Sequence, residues 1–115
     1  MPEFLYRIQP TRLAMLTDGP TAAEGAAVAA HRAYLDRMAA AGVVLLFGRT
    51  LTTDAATFGI VVFRAESPDA ARRIMADDPA VAAGVMRGEV FPFRIGAPVR
   101  GCRPRPDGTM VARAA

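Results

Sequence analysis

Lysine is missing from this chain: all fourteen of its basic residues are arginine. That removes Schiff-base chemistry and the phosphate-binding loop whose lysine reaches the β/γ-phosphates. Cysteine occurs once, as Cys102 in a Pro/Gly/Arg stretch, so neither an intramolecular disulfide nor a multi-cysteine metal cluster can form. Histidine also occurs once, as His31, and the usual zinc sites built from several His and Cys cannot be assembled within one chain. The single serine, Ser67, precedes a proline at the start of a helical pattern and reads as a cap. No apolar run approaches the roughly 20 residues needed to cross a bilayer, since Val43 to Phe47 is broken by Gly48 and Arg49. Met1 to Pro10 holds Glu3 and Arg7 and no sustained apolar stretch, unlike a signal peptide. These absences predict a cytoplasmic protein without membrane contact, metal or organic cofactor.

What is present is a globular composition, 52% hydrophobic and 22% charged over 115 residues, enough for one core but not two. The formal charge of +3 is unevenly spread. Residues 1–95 carry ten arginines against ten acidic side chains, whereas residues 96–115 carry Arg100, Arg103, Arg105 and Arg113 against Asp107. A nucleic-acid interface concentrates basic groups on a folded face, often with interleaved aromatics. Here the excess is confined to the tail, and no nucleic-acid partner is expected. The division is therefore a folded domain over residues 1–95 and a basic Pro/Gly/Arg tail over 96–115.

Met1 to Gln9 alternates as a strand ended by Pro10. Thr11 to Leu16 reads as a short helical turn or a second extended piece. Thr21 and Glu24 form a T-x-x-E capping box for an Ala-rich helix that runs to Ala41 and stops at Gly42. Val43 to Thr50 and Phe58 to Ala65 read as a hairpin of two strands. Ser67-Pro68 opens a second helix that ends at Asp77-Asp78-Pro79. Ala80 to Gly84 is a turn or a further helical turn, and Glu89 to Ile95 a fourth strand whose Pro92 suits an edge or a bulge. The order β-α-β-β-α-β predicts an α+β fold, a ferredoxin-like sandwich with two helices on one face of a four-stranded antiparallel sheet. Its other face, drawn from Tyr6 and Ile8 or Leu5 together with Val62, Phe91 or Phe93, is apolar and predicts a homodimer joined sheet to sheet.

Within that frame Val28, His31, Leu35 and Met38 recur at helical spacing, which points His31 toward the buried side. The two helices are expected to run side by side in the same direction, following parallel strands. His31 lies ten residues after the cap Thr21 and Asp78 eleven after the cap Ser67, so the pair is expected at similar depth. A carboxylate there fixes the ring's tautomer and makes the pair a candidate general acid/base. The alternatives are a satisfied core histidine and an aspartate that only caps the turn at Pro79. Tyr34, one turn from His31, lines a pocket or packs; Arg49 binds a substrate carboxylate or makes a surface ion pair. Asp36 is expected to face solvent.

The run H-R-A-Y-L-D-R-M-A-A-A-G from His31 to Gly42, the strand ending F-G-R-T, D-P-A-V-A-A-G-V from Asp78 to Val85, and E-V-F-P-F from Glu89 to Phe93 resemble the YciI-like (YCII-related) family. The resemblance covers about residues 3–95 and implies a dimeric ferredoxin-like α/β barrel with a His–Asp pair, falling on His31 and Asp78. It implies an acid–base enzyme of lyase, dehydrochlorinase or isomerase type acting on a small hydroxylated or enolisable cyclic compound; one characterised kind of member removes chloride from a hydroxylated aromatic ring. A non-catalytic dimeric module that binds a small molecule or a protein is the competing expectation. Thr11 to Thr17 is longer than the compact family pattern, and the arginine-rich tail has no counterpart in it.

Overall fold

The computed structural model describes residues 1–97, together with the backbone at 103–104 and 110–111. In chain order the elements are β1 (Glu3–Pro10), α1 (Ala14–Thr17), α2 (Ala22–Ala40), β2 (Val44–Arg49), β3 (Gly59–Arg64), α3 (Pro68–Ala76), α4 (Pro79–Ala82) and β4 (Met86–Phe93). Beyond them β5 (Arg103–Pro104) pairs antiparallel with β6 (Met110–Val111). Most of the predicted tail lies outside the described residues.

The main sheet has the order β2-β3-β1-β4 with every neighbouring pair antiparallel, the architecture that the element order predicts. Thr11 to Leu16 resolves as the single-turn helix α1, and β4 begins three residues before the predicted Glu89. Pro92 sits on β4, an edge strand, where its missing N–H costs no ladder bond toward a further neighbour.

Pairing registers assign each side chain to a face. Phe4, Tyr6 and Ile8 alternate inward, and Tyr6 stands opposite Val61 on one side and Val90 on the other. With Val44, Phe63 and Leu35 they form the core; Phe63 meets Tyr6 edge-on at 5.4 Å between ring centroids. Tyr6 and Ile8 thus belong to the helix side, and Leu5 belongs to the other. A bulge between Val44 and Leu46 shifts β2 by one residue, which keeps both Val44 and Phe47 on the helix side. The uniformly apolar stretch Val43 to Phe47 concealed this phase change.

On the outer face Leu46, Val62, Leu5 and Phe91 stand in one cross-strand row. Val62 is buried by its neighbours, while Leu46 (54%) and Phe91 (43%) remain substantially exposed.

Both helix starts follow their capping chemistry. Thr21 accepts from the Glu24 amide at 3.1 Å while Glu24 accepts from the Thr21 amide at 2.8 Å. Ser67 accepts from the Ala70 amide. Gly42, at φ +77, supplies the left-handed residue after α2.

The expectation of co-directional helices is corrected by the sheet. β1 and β3, the strands that precede the helical crossovers, are antiparallel neighbours. Each crossover returns the chain to the opposite end of the sheet, so α2 and α3 run in opposite senses.

Candidate active site

Opposed helices still bring His31 and Asp78 together, for a different geometric reason. Eight strand residues span about 26 Å. Ten residues down α2 from one end and ten or eleven up α3 from the other each cover about 15 Å, so the two positions meet near mid-height. The shortness of α3, nine residues, decides this. Were it as long as α2, Asp78 would lie past His31.

At the meeting point Nδ1 of His31 lies 2.8 Å from Oδ1 and 2.7 Å from Oδ2 of Asp78. Asp78 is fully buried and also caps α4, its Oδ1 accepting from the Ala80 amide at 3.0 Å. Its Oδ2 accepts from the Tyr6 hydroxyl at 2.7 Å. An ionised carboxylate offers only acceptors, and here an amide, a phenol and an imidazole converge on it. The ring proton therefore belongs on Nδ1. Nε2 has no protein partner among the described residues, and His31 lines a cavity. Capping and ring orientation, posed as alternatives for Asp78, are both performed by one side chain.

Tyr6 was not singled out as a site residue by the sequence. A tyrosine in the middle of an inward-facing strand needs a partner for its hydroxyl, and that requirement was the available signal. Burial first, then the nearby Asp78 charge and the hydrogen bond to it, push the Tyr6 phenol far above its ordinary range. Its hydroxyl is therefore the donor in the bond to Asp78.

The cavity, of about 740 Å³, lies between α2, α1 and the ends of β1, β2 and β3. That is a volume suited to a small organic ligand. Its walls are mostly apolar, with Met15, Leu16 and Phe47 among them. In the row Arg49-Gly59-Ile8-Gly88 two glycines leave only two side chains on the inward face; Gly59 lines the cavity, while Met75 fills the room over Gly88. A Cβ on Gly59 would stand 3.2 Å from Ile8 Cγ1, and one on Gly88 would stand 2.8 Å from Met75 Sδ.

His31, Arg32 and Arg49 are the ionisable side chains among the described residues that line the cavity, and no carboxylate joins them. Arg32 lies over the face of Phe47, its Cζ 5.2 Å from the ring centroid, and pairs with the exposed Asp36 one turn on. Arg49 is exposed and makes no ion pair among the described residues. Its register opposite Gly59 turns it toward the helices and the cavity.

Tyr34 lies elsewhere. Its hydroxyl donates to the Ile74 carbonyl at 2.7 Å, tying α2 to α3, and it is not among the cavity-lining residues. Burial, then the charges of Asp77 and Asp78, raise its phenol to about 12.

The segment roofing the cavity is fastened to the start of α2. Arg12 donates through Nε to Glu24 at 2.9 Å and through its terminal nitrogen to the Gly19 carbonyl. The hydrogen bonding of Arg12 to Glu24 first, with the Thr21 amide second, holds the Glu24 carboxyl down at about 2. No group of three or more His, Cys, Asp or Glu with metal-binding geometry occurs among the described residues.

Residues 9–94 match the profile of the YCII-related domain. The chain belongs to the YCII-related domain family. It is also similar in structure to the 5-chloro-2-hydroxyhydroquinone dehydrochlorinase from Burkholderia phenoliruptrix, determined in complex with 2,5-dihydroxybenzoquinone. That likeness has a TM-score of 0.58 at 23% identity and covers 81% of this chain and 95% of the other. At this identity it establishes the shared fold. No curated protein sequence matches the chain. Among the described residues of this YCII-related protein no helix is long and apolar enough to cross a membrane.

Proposed function

We propose that this YCII-related protein is a cytoplasmic, cofactor-independent acid–base enzyme of the lyase, dehydrochlorinase or isomerase type. Its substrate is a small hydroxylated or enolisable cyclic compound. The observation that carries the reading is the contact of His31 Nδ1 with the fully buried Asp78, at 2.7 Å, beside a cavity of small-molecule size.

In this mechanism neutral His31 uses Nε2 to take a proton from a substrate hydroxyl or an acidic C–H. The electron pair released forms a new C=O or C=C bond and expels the leaving group as an anion, or shifts a double bond. Asp78 holds Nδ1–H and stabilises the imidazolium while it lasts. Arg49 receives the developing or existing negative charge on a substrate oxygen, and Phe47 offers a flat apolar wall. Support for the substrate class comes from the absence of carboxylates among the described cavity residues and from the fold shared with an enzyme that binds a dihydroxybenzoquinone. Tyr34, tied to Ile74, acts from behind the site by fixing the two helices rather than by touching substrate.

The test is chloride release from 5-chloro-2-hydroxyhydroquinone by the full chain and by His31→Ala. The variant is expected to lose roughly 10²–10⁴-fold in turnover while keeping its fold. Undiminished turnover in a folded variant overturns the assignment. Ligand binding by the native chain without turnover of this or related hydroxylated rings would instead support a binding module.

The same proposal includes a homodimer joined through the outer sheet face, where the row from Leu46 to Phe91 leaves apolar side chains uncovered. Sedimentation of the full chain as a monomer at all concentrations would remove this part.

A further inference from the structure

His31 and Asp78 do not form an isolated pair. The third group is Tyr6, on the central strand β1, 72 residues from Asp78 in sequence and fully buried beneath it. Its hydroxyl binds Oδ2 at 2.7 Å, and the His31 ring nitrogen straddles the same carboxylate, 2.7 Å from Oδ2 and 2.8 Å from Oδ1. Oδ1 is meanwhile held by the Ala80 amide. Both carboxylate oxygens are thus anchored by groups of the rigid interior, one on the sheet and one on α4, and the plane of the carboxylate cannot follow the imidazole if the ring moves.

We propose that Tyr6 is a positioning residue for His31: its buried hydroxyl fixes the Asp78 carboxylate, draws part of its negative charge away from the ring, and so holds Nε2 toward the cavity while weakening the carboxylate's pull on the imidazolium. The inference rests on reading His31 and Asp78 as the acid–base pair. It adds that the strength of the base is set from the sheet, by a residue that never meets substrate.

A carboxylate divides its acceptor strength among the donors it binds. Each donor that it binds lowers the charge available to the others. Without the phenol, the carboxylate keeps more of its charge for His31, and the imidazolium gains stabilisation relative to the neutral ring. The ring then protonates at higher pH, and a smaller fraction is available as base near neutrality. The groups that face the ring are Asp78 and Tyr6 on the interior side and Arg32 and Arg49 along the cavity. Only the first two form part of the hydrogen-bonded chain.

Because the chain has one histidine, its imidazole signals need no assignment. Titration of the ring by NMR in the full chain is the measurement, with Tyr6→Phe, Asp78→Asn and a fluorinated tyrosine as perturbations. Tyr6→Phe keeps the aromatic ring that packs against Phe63. In that variant the midpoint of the histidine titration is expected to rise by about half to one pH unit, the scale of one hydrogen bond's worth. Incorporating 3-fluorotyrosine in a Tyr34→Phe background makes the Tyr6 hydroxyl a stronger donor, and the midpoint is expected to move down. Opposite displacements by the two changes cannot come from loosened packing, which acts in one direction.

A midpoint that responds to Asp78→Asn but to neither tyrosine change overturns the role of Tyr6 and leaves the pair standing. A midpoint that ignores Asp78→Asn overturns the pair itself and this inference with it. Should Tyr6→Phe fail to fold, the fluorotyrosine arm decides alone: a downward shift supports the role and an unchanged midpoint refutes it.

Discussion

The two walls around His31 are built on different principles. The interior wall is closed: Asp78 is 0% exposed, and every oxygen of its carboxylate is held by a protein donor. The cavity wall is open: Arg49 is exposed without an ion-pair partner among the described residues, and the residue opposite it, Gly59, has no side chain. A residue of the first kind is expected to carry stability and chemistry together. One of the second kind is expected to carry ligand recognition and almost no stability.

The largest expected effect comes from breaking the interior wall. Asp78→Ala removes the cap of α4 and leaves the Tyr6 hydroxyl, the Ala80 amide and the His31 Nδ1–H without their acceptor in the interior. Leaving buried donors unpaired, as in a broken buried ion pair, costs about 3–5 kcal/mol. Urea unfolding of the full chain measures it. A loss below about 1 kcal/mol, the scale of an ordinary cap, would mean that water enters the site and that the wall is not closed.

Arg49→Leu tests the other side of the comparison. Stability is expected to stay within about 0.5 kcal/mol, because no folded-state interaction is lost. Binding of 2,5-dihydroxybenzoquinone, whose acidic enol hydroxyls ionise readily, is expected to weaken about 10–100-fold, the scale of one charge-assisted hydrogen bond. Calorimetric titration separates the two quantities. Unchanged affinity would remove Arg49 from the site and leave Arg32 as the cation to examine.

The contrast between the walls also explains which parts of the molecule were legible in the sequence. Elements announced by local chemistry were readable: the T-x-x-E box, Ser67-Pro68, the alternation of β1, and Pro92 on an edge. The face of α2 that carries His31 followed from spacing alone. What escaped was anything set by tertiary register. The bulge in β2 has no local signature in a run of apolar residues, so the inward turn of Phe47 and of Arg49 could not be read.

The pairing of His31 with Asp78 was reached through similar counts along two helices taken to be co-directional. The antiparallel β1 and β3 make them opposed, and the counts agree only because α3 is half as long as the sheet is tall. The inward choice for Tyr6 also required the register, since alternation alone permits either face. The Tyr6 bond to Asp78 spans 72 residues, a separation that no local rule addresses.

The smallest effect expected of these perturbations separates two tyrosines that a sequence treats alike. Tyr6 belongs to the closed wall and Tyr34 to the seam between α2 and α3, and both phenols are raised above their ordinary value. Tyr34, at about 12 against an unfolded value of 10.0, is the less protected. A raised folded-state value means that the native state holds its proton where the unfolded state has lost it. The contribution of Tyr34 is therefore complete below pH 10.0 and disappears as pH rises through about 12. Removing its hydroxyl in Tyr34→Phe forfeits the bond to the Ile74 carbonyl, about 1 kcal/mol at neutral pH, and flattens this alkaline decline. Phenolate absorbance follows the same distinction without interference from tryptophan, which the chain lacks. In the native chain one tyrosine is expected to ionise before alkaline unfolding; in Tyr34→Phe none is, because Tyr6 can lose its proton only when the fold opens. Phenolate appearing in the folded variant would show that the interior wall admits hydroxide, and the distinction between the walls would fail at Tyr6.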